Sequence, residues 1–284
     1  MKRKKHGHSI KNMSLGTRIV TYICLFWALL VSLVPLVWLV LSSLKKDPLA
    51  RPGFQLPEAL CFDGYISTFR DLNVFQYFGN SLFVAGVSVL ISVVMISMSA
   101  YVVARMEFRG KRLVNIMLYS TMFIPATALT YPVYNLINRL HLYDTRSALI
   151  LIYSCSGIAV SFFVIKNYYD NIPRDLEEAA RIDGCGYVQT WFKVIFPIAR
   201  PGIMTAAVLA FLNNWNEYYW ASLVLLTREK LTVPALLSTF TTSFNTNYNG
   251  LFSAMVIIIL PPVLLYCIFS KFFIEALSGG AVKG

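Results

Sequence analysis

Apolar residues run through this chain in long stretches, and short polar segments separate them. Six such runs lie near residues 18–42, 78–104, 113–137, 147–166, 203–226 and 252–274. A helix of about 20 apolar residues is long enough to cross the roughly 30 Å hydrocarbon layer of a bilayer. The pattern therefore predicts an all-α integral membrane protein with six transmembrane helices. It divides the chain into a basic head (1–17), a first span (18–42), a loop (43–77), a five-helix core (78–274) and a short tail (275–284).

One polar loop, 167–202, interrupts the core with the stretch "EEAARIDGCGYVQTWFKVIFPIARPG". Pro173 suits a first helical turn, and the residues after it are good helix formers with acidic side chains early and Glu177 four before Arg181. Gly184 stops that helix, in a left-handed conformation. A second helical pattern follows in Val188, Trp191, Phe192 and Ile195, and Pro197 ends it. Helices of about ten residues are marginal alone, so the pair must be held by the spans or by a partner. Ala179, Ala180 and Gly184 make a flank without bulk. Two readings of the loop stay open on spacing alone: a docking surface for a partner's groove, or a solvated loop packed on its own bundle.

Composition agrees with a membrane protein. Of the 284 residues 57% are hydrophobic and 14% charged, against about 45–50% and about 25% in soluble domains. The head, "MKRKKHGHSIK", resembles the start of a secretory signal, but its apolar run is too long and lacks a small-residue cleavage site, so it reads as a retained span. Placing both termini inside puts Lys2, Arg3, Lys4, Lys5, Lys11, Arg105, Arg109, Lys111, Arg112, Arg174, Arg181, Lys193 and Arg200 in the cytoplasm, as the positive-inside rule requires. The net charge of +11 follows from that topology, and no aromatic-interleaved basic motif suggests nucleic acid. Cys24, Cys61, Cys155, Cys185 and Cys267 are scattered singly, and His6, His8 and His141 fall outside the spans, so neither a disulfide framework nor a metal site is indicated. There is no G-x-x-x-x-G-K-[ST], G-x-S-x-G or H-E-x-x-H. The chain is expected not to be an enzyme.

Polar residues inside the spans are the candidate pathway. Asn213, Asn214, Asn216 and Glu217 fall within the fifth run, where an ionised side chain costs roughly 2.5–3.5 kcal/mol. Asn213, Asn216 and Glu217 are spaced to share a helix face, with Trp215, Tyr218, Tyr219 and Trp220 offering rings for sugar stacking. The structural or gating role is preferred for this cluster over substrate contact, because polar groups also tie helices together. In the third run Tyr131, Asn135, Thr127, Thr130 and Tyr134 accompany Pro125 and Pro132; pathway lining and a plain kinked helix are both open. Ser154, Ser156, Gly157 and Ser161 in the fourth run read as packing contacts.

The polar loop resembles the EAA loop of permease subunits of ATP-binding-cassette importers. Its Glu178-Ala179-Ala180 is followed after three residues by Gly184 and, after nine more, by an apolar stretch closed by Pro197, with Val194 and Phe196 replacing the usual Ile and Leu. Further segments, "YFGNSLFVAG", "SAYVVARMEFRGKR", "FIPATALTYPVYNLI", "NNWNEYYWASLVLL" and "FFIEALSGGAVKG", are similar to the carbohydrate branch, specifically the maltose-type second permease; Ala276 stands where that tail usually has glycine. The resemblance covers about Leu41 to Gly284. It implies a type I importer permease fold in the cytoplasmic membrane of a bacterium. It also implies a complex with a sister permease, two cytoplasmic ATPase subunits that hold ATP and magnesium, and an extracytoplasmic sugar-binding protein, with no cofactor on this chain. By the resemblance, Glu178, Ala179, Ala180, Asp183, Gly184 and Pro197 dock the ATPase, and the loops 43–77 and 227–250 meet the binding protein. Two rivals are a secondary transporter coupled through Glu217 and a non-transporting membrane scaffold.

Overall fold

The computed structural model describes residues 14–50, 53–71, 73–240 and 246–281, and helices dominate it. The basic head from Lys2 to Lys11 with His6 and His8, Arg51, the 241–245 part of the late loop and residues 282–284 lie outside the described residues. Two compact units emerge, one of residues 1–71 and 244–257, the other of residues 72–243 and 258–284.

The first unit holds α1 (Leu15–Ser43), α2 (Asp63–Asp71) and the opening of α14 (Tyr248–Ala281). The Ser14 hydroxyl caps α1 by accepting the Thr17 N–H at 3.4 Å, and most of the apolar side chains of α1 remain exposed. Its last turns are packed, with Trp38 meeting Phe252 edge to face at 5.4 Å. A helix end leaves carbonyls without partners. Here Asn249 Nδ2 donates to the carbonyls of Lys45 (2.7 Å) and Ser43 (3.3 Å), and the Ser43 and Tyr65 hydroxyls lie 2.6 Å apart.

The second unit is organised on α3 (Val74–Arg105), against which α6 (Arg146–Ser154), α7 (Ile158–Asp170) and α11 (Arg200–Trp215) pack. Ala100, Ala104, Ala199 and Ala206 keep the backbones close, and Phe162, Ile165, Tyr169, Ile195 and Ile203 fill the space between them. With no hydrophobic driving force between helices in lipid, such close van der Waals contact supplies much of the association. Gly202 is where this contact is tightest: a Cβ there would lie 2.2 Å from the Tyr168 ring. Ser154 Oγ donates to the Ile150 carbonyl at 2.6 Å and reaches that of Ser88 on α3 at 3.4 Å, which bears out its reading as a packing contact.

Three helices, α1, α3 and the Tyr248–Ile268 part of α14, are long and apolar enough to cross a membrane; counting three bent pairs as one span each gives six. The third expected span is α4 (Lys111–Thr121) and the pair formed by a 3-10 turn and α5 (Thr130–Arg139), bent by 101°. Pro125, with ψ at 132°, makes that break by leaving the helical region. The fourth is α6 and α7, bent by 48° where Gly157 takes φ +64°. The fifth differs most from expectation. The run 203–226 forms two helices, α11 and α12 (Tyr219–Val224), separated at 216–218, and a short α13 (Val233–Leu236) follows.

Pro197 does not end the helix before it. α9 (Tyr187–Thr190) passes into a π turn, Trp191–Ile195, and α10 (Phe196–Ile198) continues through the proline to Ala199. The π turn shifts the hydrogen-bond register just before Pro197, so the missing N–H falls where the ladder is already interrupted. The helical segment Tyr187–Ile198 then meets α11 at 80°.

Candidate functional site

The loop between α7 and α11 folds as a helix, a tight turn and a second helix. α8 (Asp175–Ile182) starts one residue after Arg174, so Pro173 precedes the helix rather than sitting in its first turn. It closes with Gly184 N–H on the Arg181 carbonyl (3.0 Å) and Cys185 N–H on the Ala180 carbonyl (2.9 Å), the paired bonds of a Schellman motif. Gly184 has φ +81°, the left-handed conformation its sequence context predicts.

The two faces of α8 differ in kind. Glu178, Ala179, Asp183 and Gly184 are exposed, as is Pro197 within the second helical segment. Ala180 is 6% exposed and turned into the bundle, which corrects the expectation that both alanines share one flank. Neighbours on a helix point about 100° apart, so the inward face that takes Glu177 also takes Ala180 three residues on. Ile182 (87% exposed), Val188 and Phe192 enlarge the outward face with apolar surface that the motif itself does not include.

Glu177 does not pair with Arg181. Its Oε1 lies 2.8 Å from Arg105 Nε on α3, with both side chains nearly inaccessible, and its Oε2 is 3.5 Å from the Tyr101 hydroxyl. Arg105 Nη2 also donates to the Ile172 carbonyl at 2.7 Å. Removing one member of such a buried pair costs about 3–5 kcal/mol, because the other charge stays behind. The Arg181 guanidinium instead sits 5.0 Å from the centre of the Tyr187 ring. The second helix is held by Trp191 Nε1, which donates to the Tyr169 hydroxyl at 3.2 Å. Sequence reasoning assigned Arg105 to the positive-inside count alone; the four-residue spacing of Ser97, Tyr101 and Arg105 was the signal for its second role.

The polar cluster of the fifth run is built differently from a helix face. α11 ends at Trp215, so Asn213 and Glu217 do not share a continuous helix. Glu217 caps the next one: its Oε1 accepts the Trp220 N–H at 2.8 Å and its Oε2 the Ala221 N–H at 3.2 Å. A carboxylate there meets the positive end of the helix dipole, which offsets part of the cost of a charge in that setting. The Tyr153 hydroxyl, buried on α6, donates to the same Oε2 at 2.7 Å. Asn214 is buried with its amide nitrogen unpartnered among the described residues, and Asn216 Nδ2 returns to the Leu212 carbonyl at 2.8 Å. Asn213 and Asn216 are exposed, Asn135 is half-buried, and Tyr131 is 76% exposed one turn from it on α5. The Tyr219 and Thr130 hydroxyls meet at 3.1 Å, which brings the third and fifth runs together at their breaks.

A third cluster joins the 140–146 and 224–231 loops. Asp144 accepts the N–H groups of Leu226 (2.8 Å) and Thr227 (3.0 Å), the Thr227 hydroxyl, and Lys230 Nζ at 2.8 Å. Desolvation opposes ionisation, but Lys230, the Thr227 hydroxyl and the two amides prevail and hold the Asp144 carboxyl well below the usual range.

Comparison with known proteins follows the same lines. The chain is 34% identical over 279 residues to the trehalose transport system permease protein SugB of Mycobacterium tuberculosis, an alignment covering 95% of this chain and all of the relative. It is 32% identical, over the full length of both, to the arabinooligosaccharides transport system permease protein AraQ of Halalkalibacterium halodurans. A chain from the crystal structure of a bacterial ABC transporter involved in the import of the acidic polysaccharide alginate superposes with a TM-score of 0.79 at 25% identity, covering 92% of this chain and 99% of that one. Residues 92–278 match the family of binding-protein-dependent transport system inner membrane components, and the chain belongs to that family.

Proposed function

We propose that the chain is the permease subunit of an ATP-driven importer that carries a carbohydrate, an oligosaccharide or related sugar, across the cytoplasmic membrane of a bacterium by alternating access. The α8–α10 loop is the observation that carries this reading. Its outer face combines small residues, Ala179 and Gly184, with exposed Ile182 and the carboxylates Glu178 and Asp183, while its inner face is fixed to the bundle. A short helix presented in that way fits a groove on a partner. The partner is a cytoplasmic ATPase, present in two copies, which holds ATP and magnesium; no cofactor belongs to this chain.

A sister permease and an extracytoplasmic sugar-binding protein complete the complex. Both termini, the 105–112 loop and the 167–202 loop face the cytoplasm, and α1 lies against lipid or the sister subunit. The long relatives with sugar names, alike over nearly the whole chain, support the carbohydrate assignment. Asn213, Asn216, Tyr131 and Asn135 line the pathway. Glu217 acts beside them by fixing the break in the fifth span, since its oxygens are taken by Tyr153 and two amides. The test is uptake of a panel of labelled oligosaccharides by the reconstituted complex, with ATP clamped and the proton gradient collapsed. Uptake that persists supports the proposal; uptake that stops with the gradient points to a secondary transporter, and absence of flux for every sugar points away from carbohydrate.

A further inference from the structure

Ser97, Tyr101 and Arg105 stand four residues apart on α3 and so line one face of its last turns. They reach the loop that the proposed function assigns to the ATPase, Ser97 through Tyr169 of α7 and Tyr101 and Arg105 through Glu177. The Ser97 hydroxyl lies 2.5 Å from that of Tyr169, which receives Trp191 Nε1 from the second loop helix. The Tyr101 ring packs edge to face on Tyr169 at 6.0 Å, and its hydroxyl approaches Glu177. Arg105 closes the ladder with the Glu177 carboxylate and the Ile172 carbonyl.

The opposite end of α3 is fastened in the same style. Asn80 is buried; its Nδ2 donates to the carbonyls of Glu229 (2.8 Å) and Leu231 (2.9 Å), and its Oδ1 accepts from Arg146 at 2.9 Å. The Ser81 hydroxyl accepts the Val233 N–H at 2.8 Å. Between these two ends α3 is one helix of 32 residues without proline, about 48 Å long. The apolar runs that form α4–α5, α6–α7 and α11–α12 are broken part-way. A break absorbs displacement, whereas a continuous helix clamped at both ends passes it on.

We propose that α3 is the rod that joins the ATPase-docking loop to the outward loop at 225–233. Glu177 and Arg105 are the positioning residues that fasten its inner end, and Asn80 and Arg146 fasten its outer end. The proposal rests on the reading of the α8–α10 loop as the ATPase site. Apolar packing alone lets α8 slide or tilt by small steps, but a buried ion pair is broken by the same displacement. Movement of α8 is therefore delivered to α3 as a whole.

The experiment uses the complex purified with its own ATPase, in a chain stripped of native cysteines and carrying Leu226→Cys on the outward loop. The rate of labelling by an impermeant maleimide is read with and without ATP, magnesium and vanadate. Trapping should change the rate about fivefold or more in the parent. Glu177→Leu with Arg105→Met removes both charges while keeping bulk; it should retain the ATPase on purification and lose the labelling response. Asn80→Leu, at the far end of the rod, should lose it too, which a merely local role of the ion pair would not produce. A response that survives either variant, or is absent in the parent, overturns the proposal. So does loss of the ATPase from the Glu177→Leu/Arg105→Met complex, since the pair then builds the docking surface. Failure of the underlying reading shows separately, as unchanged ATPase retention in Gly184→Asp.

Discussion

Glu217 illustrates how a single side chain can be polar for a structural reason. Its two oxygens take three donors, two of them amides that α12 would otherwise leave unsatisfied. Glu217→Gln keeps the shape but offers one acceptor oxygen in place of two, and should lower stability by about 1–2 kcal/mol. Tyr153→Phe removes one bond of the three and should cost about 1 kcal/mol. Thermal unfolding of the detergent-solubilised chain checks the order, with Glu217→Gln melting lower than Tyr153→Phe. Asp144 gives a pH dependence. Because folding depresses its pKa, its contribution is fully present above the unfolded value of about 4 and is lost as the pH falls through the folded value. Proteolytic nicking of the 225–231 loop should therefore rise only in strongly acidic buffer, and Asp144→Asn should show the raised rate at neutral pH as well.

Among the elements, α8 carries the sharpest test. Ala180 faces the bundle, so Ala179 and not Ala180 is the position at which added bulk tests the outer surface alone. Ala179→Leu should weaken retention of the ATPase without changing insertion. Ala180→Leu should instead disturb the packing of α8, at about 1–3 kcal/mol for an overpacked site. Gly184→Asp forces a side chain into a left-handed position and costs roughly 1 kcal/mol in addition to any contact it blocks. Much of this element was legible in the sequence: the helix, the Gly184 stop and the second helix follow from propensity, capping and periodicity. Which alanine faces away from the bundle was not, because it depends on Arg105, 72 residues before Glu177 in the chain, turning the Glu177 face inward. The fifth span failed as one helix for a related reason. Its apolar run is long enough, but the break at 216–218 is set by Glu217, which caps Trp220 and Ala221 and is held by Tyr153, 64 residues earlier, a contact that no local pattern encodes.

For the whole molecule the six apolar runs were enough to place the class, while the breaks within three of them fall at Pro125, at Gly157 with its positive φ and at 216–218 before the Glu217 cap. The orientation gives a direct expectation. Cysteine placed at Lys111 or Asp175, in a chain stripped of native cysteines, should resist an impermeant thiol reagent in intact cells and react once the cells are opened. The central claim, that this chain transports by docking an ATPase on the α8–α10 loop, is tested most directly by purifying the chain from its native membrane and quantifying the ATPase subunit that comes with it, for the parent and for Gly184→Asp. The account predicts an ATPase retained by the parent and lost or strongly depleted in the variant, with insertion unchanged. Equal retention by both, or no ATPase with either, would contradict it.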